Sequence, residues 1–422
     1  MRQKVTKLIT HPLIGGSSVI FFGTFISNIF NYLFNLLMGR MLSEADFGLM
    51  SAFNSLLVLV GIFSIAFSNV ITKFSSKYFG LEDDGAAAEV FRTGFRFVLI
   101  IGGALLLILT ILMPFLSSFL HSSHYLYLFL VILSIFFSLV LALPSGFIQG
   151  RLRFFLLAGT VLSTPVLRLG FALIIVSLGY GLLGPFLGLA LAVAIPSIVL
   201  TYSTYKKYSK KSHDEKFNKQ AFKKEFIHYT YTYLLSGVGV TLLSNSDILL
   251  VRHFFSPTTA GQYAALSLMG KAILYFTAPI GTVFFPLISY KREKKEKLTQ
   301  TVLLAIAVVA GASAVLSGVY FALPKLVLSI FFPKPGYALL SGYLGYYSLY
   351  ILVFSVASLL NMYFLSIGKT KVYIITLIGA LVQIISLSIF HASLGEVIAG
   401  LFISSSVMLL LFVFFYLKHG EN

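Results

Sequence analysis

The chain has 422 residues, of which 58% are hydrophobic and only 11% are charged, and its mean hydropathy is +0.94. These values are far from those of a soluble domain and predict a membrane protein. The formal net charge of +17 is spread over short loops, so a positive-inside bias and anionic lipids explain it better than nucleic-acid binding. The chain contains no cysteine, which excludes disulfides and thiolate metal sites.

Apolar segments long enough to cross a bilayer recur along the whole chain. A helix needs about 20 consecutive apolar residues to span the hydrocarbon core. Twelve segments meet that length, at residues 14–38, 47–71, 93–119, 125–147, 155–178, 181–203, 229–252, 260–288, 299–322, 340–366, 372–391 and 395–417. The sequence therefore predicts an all-α polytopic membrane protein with about 12 transmembrane helices.

The positive charges of the connecting loops alternate between many and few. The rich loops hold Arg2, Lys4, Lys7, Lys73, Lys77, Arg92, Arg96, Arg151, Arg153, eight lysines between Lys206 and Lys224, Lys291 to Lys297, Lys369, Lys371 and Lys418. The poor loops hold only Arg40, Arg252, Lys325 and Lys334. Because Lys and Arg mark cytoplasmic loops, both termini are predicted to be cytoplasmic.

The longest loop divides the chain near its middle. It predicts an N-terminal six-helix lobe (1–203), a basic cytoplasmic linker (204–226) and a C-terminal six-helix lobe (227–422). Short echoes relate the halves: Arg40 to Ser43 with Phe47-Gly48 matches Arg252 to Ser256 with Ala260-Gly261, and Gly150 to Arg153 matches Gly368 to Lys371. Parallel repeats of this kind leave a cavity between two bundles, as alternating access requires. The alternative is that these turns merely reuse the same small residues.

Several of these stretches resemble one known family. The run from Asn31 to Gly48, Gln149 to Phe154, Ser246 to Arg252, Ala260 to Tyr263 and Gly368-Lys369 are similar to bacterial polysaccharide flippases. This family belongs to the multidrug/oligosaccharidyl-lipid/polysaccharide (MOP) exporter superfamily, and the resemblance covers essentially the whole chain. It implies a MATE-like fold. It also implies that an undecaprenyl-pyrophosphate-linked oligosaccharide is moved from the inner to the outer leaflet of the bacterial cytoplasmic membrane.

Catalysis is not expected. The outer loops are too short for the catalytic domains of membrane glycosyltransferases or polymerases, and neither a P-loop nor a metal-ligand cluster is present in the sequence. We therefore expect a transporter that is not an enzyme, without metal or cofactor other than a coupling Na⁺ or H⁺.

Two bases fall at membrane depth, Arg168 and Lys271, one in each half. A charge there is costly and normally faces water or the bundle interior. Both together suit a pyrophosphate as fork and point-charge donors. Alternatively, they pair with helix carbonyls or with Asp247 and hold the bundle together.

Asp247 is the one acid well within a predicted segment, and Asn245 lies beside it. A carboxylate with amide and hydroxyl oxygens can bind a monovalent cation or carry a proton. In related branches of the superfamily, an acid on the seventh helix often binds the coupling cation. The alternative is a salt bridge from Asp247 to Lys271 or Arg252.

Two further sets recur at helical spacing. Asn28, Asn31 and Asn35 share one helix face, where they can bind sugar hydroxyls or join helices. Tyr347 belongs to a set of tyrosines in segment 340–366 that can stack on sugar rings or mark the membrane interface. We expect these residues to contribute to substrate binding.

The resemblance also implies partners for the protein, and several other functions are open as alternatives. We expect a monomer that contacts lipid-linked oligosaccharide, membrane lipids, and the glycan polymerase and glycosyltransferases of the same pathway, and that binds no nucleic acid. A multidrug and toxin extruder of the same superfamily is the main alternative, although its cationic drugs would require carboxylates in the cavity. A lipid II flippase, a membrane glycosyltransferase and a purely structural membrane protein are further alternatives.

Overall fold

The computed structural model describes residues 12–208, 219–294 and 296–419. Within these ranges the secondary structure is entirely helical, so the all-α prediction is confirmed. The helices are α1 (Pro12–Met41), α2 (Glu44–Gly80), α3 (Asp84–Ile111), α4 (Met113–Phe119), α5 (Tyr125–Gly150), α6 (Phe154–Ile175), α7 (Leu183–Tyr208), α8 (Lys219–Phe254), α9 (Pro257–Glu293), α10 (Thr299–Ala322), α11 (Pro324–Phe331), α12 (Leu344–Ser366), α13 (Tyr373–Ile389) and α14 (Leu394–His419). A π-helical turn (Val176–Tyr180) and two 3₁₀ segments (Pro335–Gly342 and Thr370–Val372) complete the described structure.

Helices cover all twelve predicted segments. In the described part of the chain, nine are long and apolar enough to cross a membrane, or ten if the two apolar parts of α8 count as one bent span. The remaining two long helices are α13, which is apolar but has only 17 residues, and α9, which carries Lys271 in its middle. The chain is thus a multi-pass membrane protein. The orientation of its termini stays a prediction.

The contacts group the chain into two compact units. Unit 1 comprises the described residues of Met1–Phe34 and Val60–Leu234, and unit 2 those of Asn35–Leu59 and Leu235–Asn422. The tip of the α1–α2 hairpin therefore packs with the second half of the chain, which the boundaries 1–203, 204–226 and 227–422 do not anticipate. The two-lobe division drawn from the sequence stays a prediction.

The core of unit 1 lies around the end of α2. Phe222 and Phe226 of α8 are buried there, and Phe222 lies 4.8 Å from the Phe74 ring centroid. Lys73 holds this junction: its ammonium lies 2.8 Å from the Tyr229 ring centroid and 3.5 Å from Glu225. The part of the predicted linker that the structure describes is thus helical, and its α8 portion belongs to this core. Residues 209–218 lie outside the described chain.

Local signals begin and end these helices in ordinary ways. Asp83 caps α3, with its carboxylate accepting from the Ala86 amide at 2.7 Å. Between α6 and α7 the chain reverses through Gly179 and Gly181, whose φ angles are +89° and +48°. Residues that carry a side chain rarely adopt these positive φ angles, so glycine is required for this reversal.

Candidate functional site

A cavity of about 290 Å³ lies within unit 2, among α1, α2, α8 and α9. Its polar lining residues are Asn35, Ser51, Asn54, Ser55, Ser244, Asn245, Ser267, Lys271 and Tyr275. Its apolar lining residues are Phe47, Val58, Ile248, Ala264, Leu268 and Leu274. The cavity thus combines three amides, four serine hydroxyls and one base, and no carboxylate is among the described residues that line it.

Helical periodicity places the cavity-lining side chains of α2 on one face of that helix, and those of α9 on one face of theirs. In α2, Ser51, Asn54, Ser55 and Val58 recur at i, i+3, i+4 and i+7, which is a single helix face. In α9, the cavity-lining positions from Ala264 to Tyr275 follow the same period. The α2 face was not predicted from the sequence, although a polar stripe within an apolar segment is a readable signal.

Three of the predicted site residues meet in this cavity. Lys271 and Asn35 line it, and both are half-buried. Asn245 also lines it, while its amide nitrogen donates to the Thr241 carbonyl at 3.2 Å within α8. An amide oxygen on the cavity side can accept from a hydroxyl, and the Lys271 ammonium can bind an anion.

Asp247 lies behind this wall rather than in it. Its side chain is completely buried, and its Oδ2 accepts from the Tyr263 hydroxyl at 2.8 Å and lies 3.4 Å from the Tyr347 hydroxyl. Asp247 forms no ion pair with a base in the described ranges, so the salt bridges to Lys271 or Arg252 considered above are not formed. Residues two apart on a helix do not face each other, so Asn245 and Asp247 are on different sides of α8.

Tyr347 is buried with Asp247 and reaches towards the cavity. Its hydroxyl lies 3.0 Å from Oγ of Ser267, which is part of the cavity wall. Gly270 gives its ring room, because a Cβ at Gly270 would overlap the Tyr347 ring. Tyr347 therefore stands between the acid and the cavity wall. Direct contact of this side chain with substrate stays a prediction.

Arg168 has a different environment, in unit 1. Its side chain is only 7% exposed, and its guanidinium lies 3.8 Å from the centre of the Phe34 ring. Asn28 and Asn31 are half-buried on α1 in the same unit. Each of these residues belongs to another unit than Lys271, so their sharing of one ligand with Lys271 stays a prediction.

A polar cluster lies in unit 2 beside the turn between α1 and α2. Arg40 donates to the carbonyls of Ile330 and Phe331 at the end of α11, the latter at 2.9 Å. In return, Lys334 donates to the carbonyls of Gly39 and Leu42 at the end of α1. Arg40 thus caps the end of α11, and Lys334, which follows α11, caps the end of α1. Burial lowers the pKa of Lys334, and the Glu44 carboxylate opposes that shift.

The echoed turns of the two halves touch each other beside this cluster. The Gln262 amide donates to Glu44 Oε2 at 2.9 Å and to the Gly336 carbonyl at 3.1 Å. Gly48 packs against Gly261 so closely that a Cβ on either would overlap the opposite backbone. These two glycines are equivalent positions of the sequence echo.

Metal-binding chemistry has no cluster to support it in the described ranges, where no group of three or more His, Asp or Glu side chains could hold a metal ion.

The model of the polysaccharide biosynthesis protein family matches residues 13–292. The chain belongs to the polysaccharide biosynthesis protein family. No curated protein gives a match to the sequence.

Solved structures of the MOP superfamily share the fold of this family member. The lipid II flippase MurJ in an inward closed conformation is 20% identical, with a TM-score of 0.73 over 94% of this chain and 87% of MurJ. An inward-facing multidrug resistance MATE family transporter is 14% identical, with a TM-score of 0.72 over 93% of this chain and 94% of that one. A MOP superfamily transporter from Pyrococcus furiosus, described as having a binding pocket of reverse polarity, is 15% identical, with a TM-score of 0.64 over 98% of both chains. The predicted MATE-like fold is confirmed.

Proposed function

We propose that this protein is a flippase for lipid-linked oligosaccharide in the bacterial cytoplasmic membrane. It moves an undecaprenyl-pyrophosphate-linked glycan from the inner to the outer leaflet without acting as an enzyme. Membership of the polysaccharide biosynthesis protein family and the MurJ-like fold support this function. In this proposal the glycosyltransferases that build the glycan and the polymerase that extends it act in the same pathway.

The chemistry of the unit 2 cavity carries the proposal. Amides and hydroxyls can donate to and accept from sugar hydroxyls, and a single ammonium attracts one anionic group of the cargo. A pocket for cationic drugs would place a carboxylate among its lining residues, whereas Asp247 is sealed behind Tyr263 and Tyr347. This observation favours the glycan flippase over the multidrug extruder.

Transport in proteoliposomes tests the proposal with the two cargoes side by side. The parental protein should move a fluorescent undecaprenyl-pyrophosphate-linked oligosaccharide between leaflets, and it should not accumulate a cationic dye. Lys271→Glu reverses the charge of the cavity and should abolish glycan transport. Lys325→Glu is the matched control, since Lys325 is exposed and does not line the cavity. Dye transport by the parent, without glycan transport, would replace this proposal with the drug exporter.

A further inference from the structure

The cavity and the buried acid of unit 2 are joined by one continuous hydrogen-bonded path. It runs from Asp247 Oδ2 to the Tyr347 hydroxyl (3.4 Å) and on to Ser267 Oγ (3.0 Å). All three residues are completely buried from bulk solvent, and Ser267 contributes to the cavity wall. Ser267 precedes Lys271 by four residues in α9, so both lie on the same helix face. The path therefore ends one helical turn from Lys271, the basic residue that lines the cavity.

Tyr347 has one proton and two acceptors within reach, so the direction of the path is not fixed by its geometry. When Tyr347 donates to Asp247, Ser267 Oγ loses this donor and can accept from a group in the cavity. When Tyr347 donates to Ser267 instead, the serine proton is released towards the cavity. Both arrangements use the same heavy-atom positions. A reversal changes the hydrogen-bonding character of the wall without moving a helix.

The carboxylate offers a place from which the reversal can be driven. Asp247 Oδ1 is buried and has no hydrogen-bond partner in the described ranges, whereas Oδ2 faces both phenols. A sodium ion or a proton that binds this carboxylate makes it a weaker hydrogen-bond acceptor for the Tyr347 hydroxyl. A buried polar atom without a partner is costly, which favours such occupation.

We propose that Tyr347 and Ser267 form a relay through which cation occupancy of Asp247 sets the hydrogen-bonding state of the cavity wall beside Lys271. The relay deepens the proposed flippase function, because it couples a cation to the site that would bind the glycan. Tyr347 and Ser267 act as positioning residues, and the cation is either sodium or a proton.

A cysteine in the cavity reports on the relay without any cargo. Val58 lines the cavity and is 38% exposed, and the chain has no native cysteine. In the Val58→Cys background, the rate of labelling by a small thiol reagent is measured in two arms. In one, sodium replaces choline at fixed pH; in the other, the pH is varied without sodium and each variant is compared with its background at the same pH.

The relay predicts that the background responds in one of these arms and that Asp247→Asn abolishes the response. Tyr347→Phe and Ser267→Ala should each abolish it as well, and combining either with Asp247→Asn should have no further effect. Tyr320→Phe is the matched control, since it removes another buried phenol hydrogen bond, to the Met269 carbonyl at 2.8 Å, outside the relay. This control should keep the parental response.

Glycan affinity gives a second readout that separates the two proposals. Energetic coupling between sites usually changes affinity by about 5- to 150-fold, and relay variants should reduce the cation effect on glycan affinity to within about twofold. A labelling response that depends on the relay, in a protein that binds no lipid-linked glycan, would retain the relay and refute the flippase. Parental responses in Tyr347→Phe and Ser267→Ala, or a background that responds in neither arm, would overturn the relay.

Discussion

The two bases at membrane depth, Arg168 and Lys271, look alike in sequence and differ in structure. Arg168 is almost fully buried in unit 1, where its guanidinium stacks on the Phe34 ring. Lys271 is half-buried in unit 2 and lines a polar cavity. Depth in the membrane identifies both as costly charges, but the neighbours of each decide what its charge is used for. Arg168 has the environment of a packed residue, and Lys271 has that of a ligand-binding residue.

The largest effect should come from Lys271→Gln. We expect the affinity for a lipid-linked glycan to fall about 10- to 100-fold, since a hydrogen bond to a charged group contributes about 1.5–3 kcal/mol. The thermal midpoint of the purified protein should stay near the parental value. Binding titrations with Lys325→Gln as the control would check this, and parental affinity in Lys271→Gln would contradict a ligand-binding role.

Arg168→Gln should act on stability instead. Loss of a desolvated cation–π contact costs about 2 kcal/mol, so we expect a lower thermal midpoint in detergent. Arg168→Lys retains the charge, so its thermal midpoint should lie between those of the parental protein and of Arg168→Gln. If Arg168→Gln unfolds at the parental temperature but binds the glycan poorly, Arg168 contacts the substrate and the contrast with Lys271 disappears.

A double-mutant cycle measures whether the two bases share one ligand, as their residue types predict for a pyrophosphate. Independent sites should have additive effects on glycan affinity within about 0.5 kcal/mol. A larger coupling between Arg168→Gln and Lys271→Gln would indicate a head group that touches both. Additivity would leave Lys271 as the anion-binding residue and Arg168 as a structural one.

The smallest perturbation is a test of topology, which decides from which side each base is approached. Single cysteines at Ser123 and Ser212 should react oppositely with an impermeant thiol reagent. Ser123 is exposed and is a better probe than Ser122, which is buried in its turn. Labelling of Ser212→Cys from outside intact cells would reverse the predicted orientation.

The helices could be predicted because a bilayer imposes a simple rule on composition. About 20 apolar residues per span is a local property, so every predicted segment carries a helix. The grouping of helices is not local. The segment Asn35–Leu59 belongs to the first half of the sequence, yet its residues pack with α9 and the segment after α11. Likewise, Phe222 and Phe226 lie among lysines in what looks like a linker, although their four-residue spacing indicates a helix face that can pack.

The candidate site was predictable in its residue types and not in its assembly. Lys271, Asn35 and Asn245 could be named because polar side chains in apolar segments are rare, and the structure gathers these three around one cavity. Asp247 and Tyr347 were named separately, from a charge and from a period. Their hydrogen bond joins residues 100 apart in sequence, and no local pattern records it.

The hairpin tip at residues 35–59 has a consequence for biosynthesis. Glu44 meets Gln262 across 218 residues of sequence, and Lys334 reaches Leu42 across 292. Because ribosomes add about 5–20 residues per second, Glu44 waits about 10–40 s after its own synthesis before its partner exists. During that time the hairpin tip is in the membrane without Gly261, the residue against which Gly48 packs. Translation rate and membrane chaperones can therefore influence how much of this protein matures correctly, and truncation before α9 should leave the hairpin tip open to degradation.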